Sequence, residues 1–294
     1  VDFVLVFSGG AMSRRLSSIF VIGAGTMGSG IAQTAAVSGL QTTLMDVDAG
    51  QLENAQAGIA KSVAKLVAKG RIEPEQQTAA LAIATASELS AAAEADLVVE
   101  AATENPKIKL DIFRQLDEIT AAETILASNT SSISITKIAG ATLRPDKVIG
   151  MHFMNPVPIM KLVEIIRGLD TSDEVTQAVT QLAETLGKTP VEANDAPGFI
   201  SNRILCPMIN EAIFALQEGV GSREAIDTVM KLGMNHPMGP LALADLIGLD
   251  VVLFILDVLQ RDLGEDKYRP AYLLRKMVDA GHLGRKSGRG FYSY

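Results

Sequence analysis

The amino-acid sequence predicts an α/β fold, a doubly wound, mostly parallel sheet followed by an all-helical C-terminal domain, on three observations. Short β-branched runs alternate with alanine-rich helical stretches through the first half, which implies parallel strands joined by crossovers. A glycine turn, Gly23-Ala24-Gly25-Thr26-Met27-Gly28, joins the first such run to the first helix. Beyond residue 194 the strand signals stop and helical spacing takes over.

Taken in order, residues 19–22 form a first strand and residues 29–37 a first helix, so the glycines fall where a strand turns tightly into a helix. Gly23 permits the turn, Gly25 lets the backbone approach a pyrophosphate, and Gly28 lets helix and strand pack closely, which makes this a Rossmann-like dinucleotide fingerprint. A second strand, 41–45, runs into Asp46. A carboxylate there accepts hydrogen bonds from both ribose hydroxyls and repels a 2′-phosphate, so the cofactor expected is NAD rather than NADP, with Asp48 adding to the negative field. Residues 49–69 and 75–81 are helical, more helix than a minimal crossover needs. Strands follow at 97–100, 124–128 and 147–152, with a last one at 191–193. The turn Asp195-Ala196-Pro197-Gly198 opens a tail whose helices span 199–217, 222–232, 240–263 and 270–280, with Gly or Pro at the breaks. The third of these is apolar on nearly every side, which suits the inside of the domain or a subunit interface. The expected division is therefore a dinucleotide-binding domain over 15–194 and a helical domain over 195–294. Residues 1–14 read as a leader outside the native protein, with Met12 as a natural start.

Composition narrows the function classes. With a net charge of −8 and no long basic tract, nucleic acid is not the expected partner. The apolar run 251–256 is flanked by Asp250 and Asp257 and is too short to span a bilayer, so no membrane association is expected. One cysteine, Cys206, excludes an intrachain disulfide framework and points to a reducing, cytoplasmic setting. Three histidines and one cysteine give no recognisable metal-ligand cluster, so no metal is expected.

An enzyme that moves a hydride to or from an alcohol needs a base, a group to orient it, and donors around the reacting oxygen. His152 ends a strand at the sheet edge where ligands bind in doubly wound folds, and from position alone it is either a base or a satisfied core histidine. After the turn 155–158, Met160, Leu162, Glu164 and Ile166 alternate onto one face, and a carboxylate on an apolar face needs a partner. Folded back about that turn, the second segment brings Glu164 roughly opposite His152; otherwise it is a surface hairpin with an exposed Glu. Asn129-Thr130-Ser131-Ser132 follows a strand and serves either as a plain turn or cap, or as a source of donors at the same edge. Asn202 shares a helix face with Cys206, Ile209 and Ile213, where its amide makes a structural hydrogen bond or reaches substrate. Lys61, Lys65 and Lys69 stack on one helix face, either a solvated surface or a cationic strip for an anionic substrate, and Arg285-Lys286 leaves the same choice open.

With these residues assembled, the chain closely resembles the 3-hydroxyacyl-CoA dehydrogenase family, most nearly its bacterial 3-hydroxybutyryl-CoA dehydrogenases, from about Ile19 to Tyr294. The signatures are GAGTMGSGIAQ from Gly23, VEAATEN from Val99, ASNTSSISIT from Ala127, MHFMNPVPIMKLVEII from Met151, PGFISNRI from Pro197, HPMGPLALADLIGLD from His236 and GRKSGRGFY from Gly284. The resemblance implies NAD-dependent interconversion of an (S)-3-hydroxyacyl-CoA and its 3-oxoacyl-CoA, in fatty-acid or butanoate metabolism. Matched motif by motif, it makes His152 the base and Glu164 its orienting acid, and sets Ser131 and Asn202 around the reacting oxygen. It puts Glu104, Lys109, Asn155 and Lys286 against the cofactor, and Lys65 and Lys69 against the CoA tail. It also implies a homodimer through the helical domain. Met154 stands where relatives often carry an aromatic residue, which bears on pocket shape. The competing readings are a crystallin-like structural protein that retains nucleotide binding, and a dehydrogenase of a free hydroxy acid in which the lysine strip is idle.

Overall fold

The structure is a computed structural model that describes residues 16–294; the leader expected at 1–14 lies outside the described residues. The chain divides into two compact units between Asp195 and Ala196.

The first unit opens with β1 (Ser18–Ile22), α1 (Thr26–Val37) and β2 (Gln41–Met45), a parallel βαβ unit closed by the glycine turn. Then come α2 (Ala49–Ala68), α3 (Pro74–Leu81), β3 (Ala84–Ala86), β4 (Leu97–Glu100), α4 (Pro106–Ile119), β5 (Ile125–Ser128), α5 (Ile135–Ala139), β6 (Val148–Phe153), β7 (Leu162–Arg167), α6 (Asp173–Thr185) and β8 (Thr189–Asn194). The eight strands form one sheet in the order β3-β2-β1-β4-β5-β6-β7-β8, winding outward from β1 in both directions. Every neighbouring pair is parallel except β6 and β7. All residues of β4, β5 and β6 are buried, which is why these strands read as nearly continuous apolar runs. β3 has no sequence signal because three small, largely exposed residues, Ala84-Thr85-Ala86, make it.

Local capping sets the helix starts. The Asp48 carboxylate accepts from the Gly50 N–H at 2.8 Å and opens α2. Asn105 does the same for α4, its Oδ1 accepting from Lys107 N–H at 3.0 Å, with Pro106 at the first helical position.

The second unit contains α7 (Ser201–Gln217), α8 (Arg223–Gly233), α9 (Pro240–Ile247), α10 (Leu249–Leu263) and α11 (Tyr272–Asp279). Its core joins Cys206, Ile209 and Ile213 of α7 to Leu241 of α9, Leu256 of α10 and Leu274 of α11. The tract 240–263, expected as one helix, is two. Gly248 between them has φ of +105°, a backbone that residues with a side chain rarely adopt, and a Cβ there would lie 3.0 Å from the Asp250 carboxylate. Nor is the tract buried on every side, for Leu246 and Phe254 are exposed.

Two buried carboxylates organise this unit. Asp227 accepts from the N–H groups of Leu241 and Ala242 at 2.9 and 3.0 Å and so caps α9, which carries no cap of its own at Gly239. Asp245, within α9, accepts from the N–H groups of Phe291 and Tyr292 at 2.9 Å each and holds the C-terminal segment against the helix. The Tyr292 hydroxyl donates to Asp227 at 2.8 Å, and burial together with that carboxylate pushes its pKa up.

Candidate active site

The carboxyl edge of the sheet brings together most of the residues singled out in the first unit, the α2 lysines excepted. Ile22, Glu100, Ser128 and Gly150 lie side by side across β1, β4, β5 and β6, and the loops that leave this row carry the polar groups. The row crosses the point between β1 and β4 where the winding reverses, the usual ligand crevice of such sheets.

Residues of the glycine turn are held for two different reasons. Gly23 has φ of +97°, and a Cβ there would lie 2.7 Å from the Ala102 Cα, while a Cβ on Gly28 would lie 1.8 Å from the Gly23 carbonyl oxygen. Those two are required by the protein's own packing. Gly25 is not: a Cβ added there meets nothing within 4 Å. What its bare backbone leaves is open approach to the start of α1, which has no side-chain cap and no acidic residue in its first turn. Ala24, Thr26 and Met27 complete this uncapped turn, whose N–H groups suit a pyrophosphate. Asp46 accepts from Ala24 N–H at 2.7 Å through one oxygen and from Asp48 N–H at 3.0 Å through the other. A carboxylate has about four acceptor positions, so two directions remain for ribose hydroxyls. The turn, the uncapped helix and the carboxylate fit a dinucleotide.

His152 and Glu164 are register partners in the antiparallel pair. Nδ1 of the imidazole lies 2.7 Å from Oε2 of the carboxylate, with His152 8 % and Glu164 1 % exposed. The antiparallel register explains the match, since pairing Phe153 with Val163 across the 154–161 connection sets His152 directly opposite Glu164. The Asn129 amide oxygen accepts from Phe153 N–H at 2.9 Å and so holds the backbone next to His152.

Glu104 joins two loops at this edge. Its carboxylate accepts from the Ser131 N–H at 2.7 Å, the Ser131 hydroxyl at 2.8 Å and the Thr130 hydroxyl at 2.8 Å. Lys109 is 1 % exposed, and its ammonium is turned inward to the Glu100 carboxylate, with Ser128 Oγ at 3.4 Å. Asn155 is exposed on the loop after β6, a loop pinned by Lys188, whose ammonium donates to the carbonyls of Val157 and Met160. Burial lowers the Lys188 pKa.

Sequence reasoning missed Glu100 as a site-forming residue. The signal for Glu100 was present: it is a carboxylate closing the apolar run Leu97-Val98-Val99, the same anomaly that marks Glu164. In the second unit, Asn202 stands in the first turn of α7 and is half-buried. Lys286 forms an ion pair with Asp250 at 2.6 Å. Lys61 and Lys65 are exposed on α2, and Lys69, also exposed, stands at its C-cap. Among the described residues, no group of three or more His, Cys, Asp and Glu side chains is placed to hold a metal ion.

The fold and the glycine turn define the class, a dinucleotide-dependent oxidoreductase with a helical C-terminal unit. Residues 18–196 match the model of the 3-hydroxyacyl-CoA dehydrogenase NAD binding domain, and residues 198–294 match that family's C-terminal domain. A probable 3-hydroxybutyryl-CoA dehydrogenase of Deinococcus radiodurans is 58 % identical over 274 residues, covering 93 % of this chain and 99 % of its own length. Another, of Bacillus subtilis, is 57 % identical over 281 residues, 95 % of this chain and 98 % of the relative. Among solved structures, the (S)-3-hydroxybutyryl-CoA dehydrogenase of Ralstonia eutropha superposes with a TM-score of 0.92 at 51 % identity, covering 95 % of this chain and 99 % of that one. The chain belongs to the 3-hydroxyacyl-CoA dehydrogenase family, and it is an NAD-dependent enzyme of that kind.

Proposed function

We propose that the chain interconverts (S)-3-hydroxybutyryl-CoA and acetoacetyl-CoA, with His152 as the acid–base residue. The observation that carries this reading is the buried His152–Glu164 pair, 2.7 Å apart at the carboxyl edge of the sheet. NAD, when bound, supplies the hydride acceptor for C3 of the alcohol. Nδ1 faces Glu164, the reading assigns the hydroxyl proton to Nε2, and the carboxylate stabilises the imidazolium formed. Ser131 is held by Glu104 through both its N–H and its hydroxyl, a fixed geometry for a group that meets the C3 oxygen. Asn202 is assigned the same oxygen on the motif PGFISNRI in which it stands.

For the cofactor, the reading assigns Gly23, Ala24, Gly25, Thr26, Met27 and Gly28 to the pyrophosphate turn and Asp46 to the adenosine ribose. Asn155, Glu104, Lys109 and Lys286 complete the set, with Lys109 acting from beneath the edge, where it pairs with Glu100. Lys65 and Lys69 are assigned to the phosphates of CoA, supported by their exposure on one face of α2. The reading includes a cytoplasmic homodimer formed through the helical unit. Supporting it are an apolar groove lined by Met208, Ala212, Ala215, Val229 and Met230, and the exposed Leu232 and Met234 nearby in sequence. No helix among the described residues is long and apolar enough to cross a membrane.

The test is spectrophotometric turnover of acetoacetyl-CoA against free acetoacetate, with NADH and NADPH in parallel. Turnover of the thioester with NADH supports the reading. Preference for free acetoacetate, or NADH binding with no turnover of either, replaces it.

A further inference from the structure

We propose that Glu100 is a positioning residue that ties the cofactor turn to Ser131. The proposal rests on the reading of this sheet edge as the hydride-transfer site. Glu100 ends β4 in the middle of the sheet, 0 % exposed, with Ile22 on one side and Ser128 on the other in register.

The two oxygens of its carboxylate serve different loops. Oε1 accepts from Ala102 N–H at 2.9 Å. The Ala101–Ala102 backbone so fixed is the wall against which the cofactor turn closes, because a Cβ on Gly23 would lie 2.7 Å from the Ala102 Cα and 2.8 Å from the Ala101 carbonyl oxygen. Oε2 accepts from the Ser128 hydroxyl at 2.9 Å and pairs with the Lys109 ammonium. Ser128 Oγ in turn accepts from Thr130 N–H at 3.2 Å, and the Thr130 hydroxyl donates to the Glu104 carboxylate that holds Ser131. One side chain therefore sets the height of the turn under the cofactor and, through Ser128 and Thr130, the position of Ser131.

Stability alone is a poor account of this pair. A buried ion pair gains little over apolar packing of the same volume, since desolvation offsets most of its attraction. Lys109 neutralises the carboxylate from a helix on the far side of the loop, so that two loops are fixed without a net charge beneath the hydride path.

The experiment measures NADH affinity by fluorescence titration without acyl-CoA, together with kcat, in Glu100→Gln/Lys109→Met and in Ser128→Ala. The double variant removes both charges at once, since Glu100→Gln alone would strand a buried ammonium. It should weaken NADH binding about tenfold, the equivalent of one charge-assisted hydrogen bond, a loss that includes the cofactor contact assigned to Lys109, so the branch toward Ser131 is read from Ser128→Ala, which keeps both charges. It should lower kcat on the order of 100-fold, the effect of a displacement of about 1 Å at the reacting centre. Ser128→Ala cuts only the branch toward Ser131, so kcat should fall about tenfold with NADH affinity within about twofold of wild type. A folded double variant with both quantities at wild-type levels overturns the proposal. So does Ser128→Ala with unchanged kcat, which is readable even where the double variant does not fold. The wild-type titration needs no acyl-CoA, so failure of the substrate assignment is seen separately, as turnover of free acetoacetate or of neither ketone.

Discussion

His152 and Glu164 stand opposite each other in the one antiparallel pair of the sheet, so the distance between imidazole and carboxylate is set by backbone pairing rather than by a flexible loop. His152→Gln should lower kcat on the order of 1,000-fold, the usual worth of a positioned acid–base group, with NADH affinity retained. Glu164→Gln should lower kcat on the order of 100-fold with KM little changed, because it removes the charge that stabilises imidazolium. Steady-state kinetics with acetoacetyl-CoA check both, and near wild-type turnover of the His152 variant removes its assignment.

The glycine turn should separate binding from folding. Gly25→Val places its side chain in open space and should leave thermal stability nearly unchanged while abolishing NADH binding. Gly28→Ala sets a Cβ 1.8 Å from the Gly23 carbonyl oxygen and should destabilise the fold by about 1–3 kcal/mol or more. Thermal melts beside NADH titrations of the two variants read the contrast.

Lys65 and Lys69 present exposed charges, so their contribution to CoA binding is screened by salt. Each Lys→Ala change should raise KM for acetoacetyl-CoA about threefold at low ionic strength, with a smaller effect at about 0.5 M salt. The same changes should not alter KM for a pantetheine thioester, which lacks the nucleotide phosphates.

Cys206 is 1 % exposed, and burial pushes its pKa up to about 12. The native protein should resist alkylation by iodoacetamide at about pH 8, and the urea-unfolded protein should take one equivalent. Mass spectrometry of the two samples decides it.

For Lys188 the sign follows from its lowered pKa against the ordinary 10.5. Between those two values the unfolded chain binds more protons at this group than the folded chain does. Its contribution to stability therefore rises with pH across that window and is lowest, and constant, below it. The difference in unfolding free energy between wild type and Lys188→Met should thus shift in favour of wild type as pH climbs through that window toward 10.5. Urea titrations with an equal difference at both ends would count against this.

Much of the site was readable because its signals are local. The Gly23–Gly28 turn and Asp46 lie within one βαβ unit, and His152 and Glu164 lie on two strands joined by a single connection and follow their two-residue period. What escaped depends on contacts between separate loops. Nothing near Lys109 in sequence says that its ammonium lies under β4, and nothing near Glu104 says that its carboxylate is bonded to Thr130 and Ser131. The break at Gly248 was hidden because both flanking segments are apolar and helical, and what meets the chain there is tertiary: the Leu249 N–H, first residue of α10, donates to the Leu283 carbonyl at 3.3 Å.

The bonds from Phe291 and Tyr292 to Asp245 give the helical unit an order of events during synthesis. All eight strands lie before residue 195, so the sheet has its full set of partners while the later helices are still being made. The one carboxylate of α9, Asp245, gets its backbone partners last. Until residues 291 and 292 leave the ribosome, Asp245 has no backbone N–H groups to accept from, and a buried carboxylate without partners is costly. The helical unit therefore closes only after translation has passed them, and the nucleotide-binding half is the first part of the nascent chain able to fold.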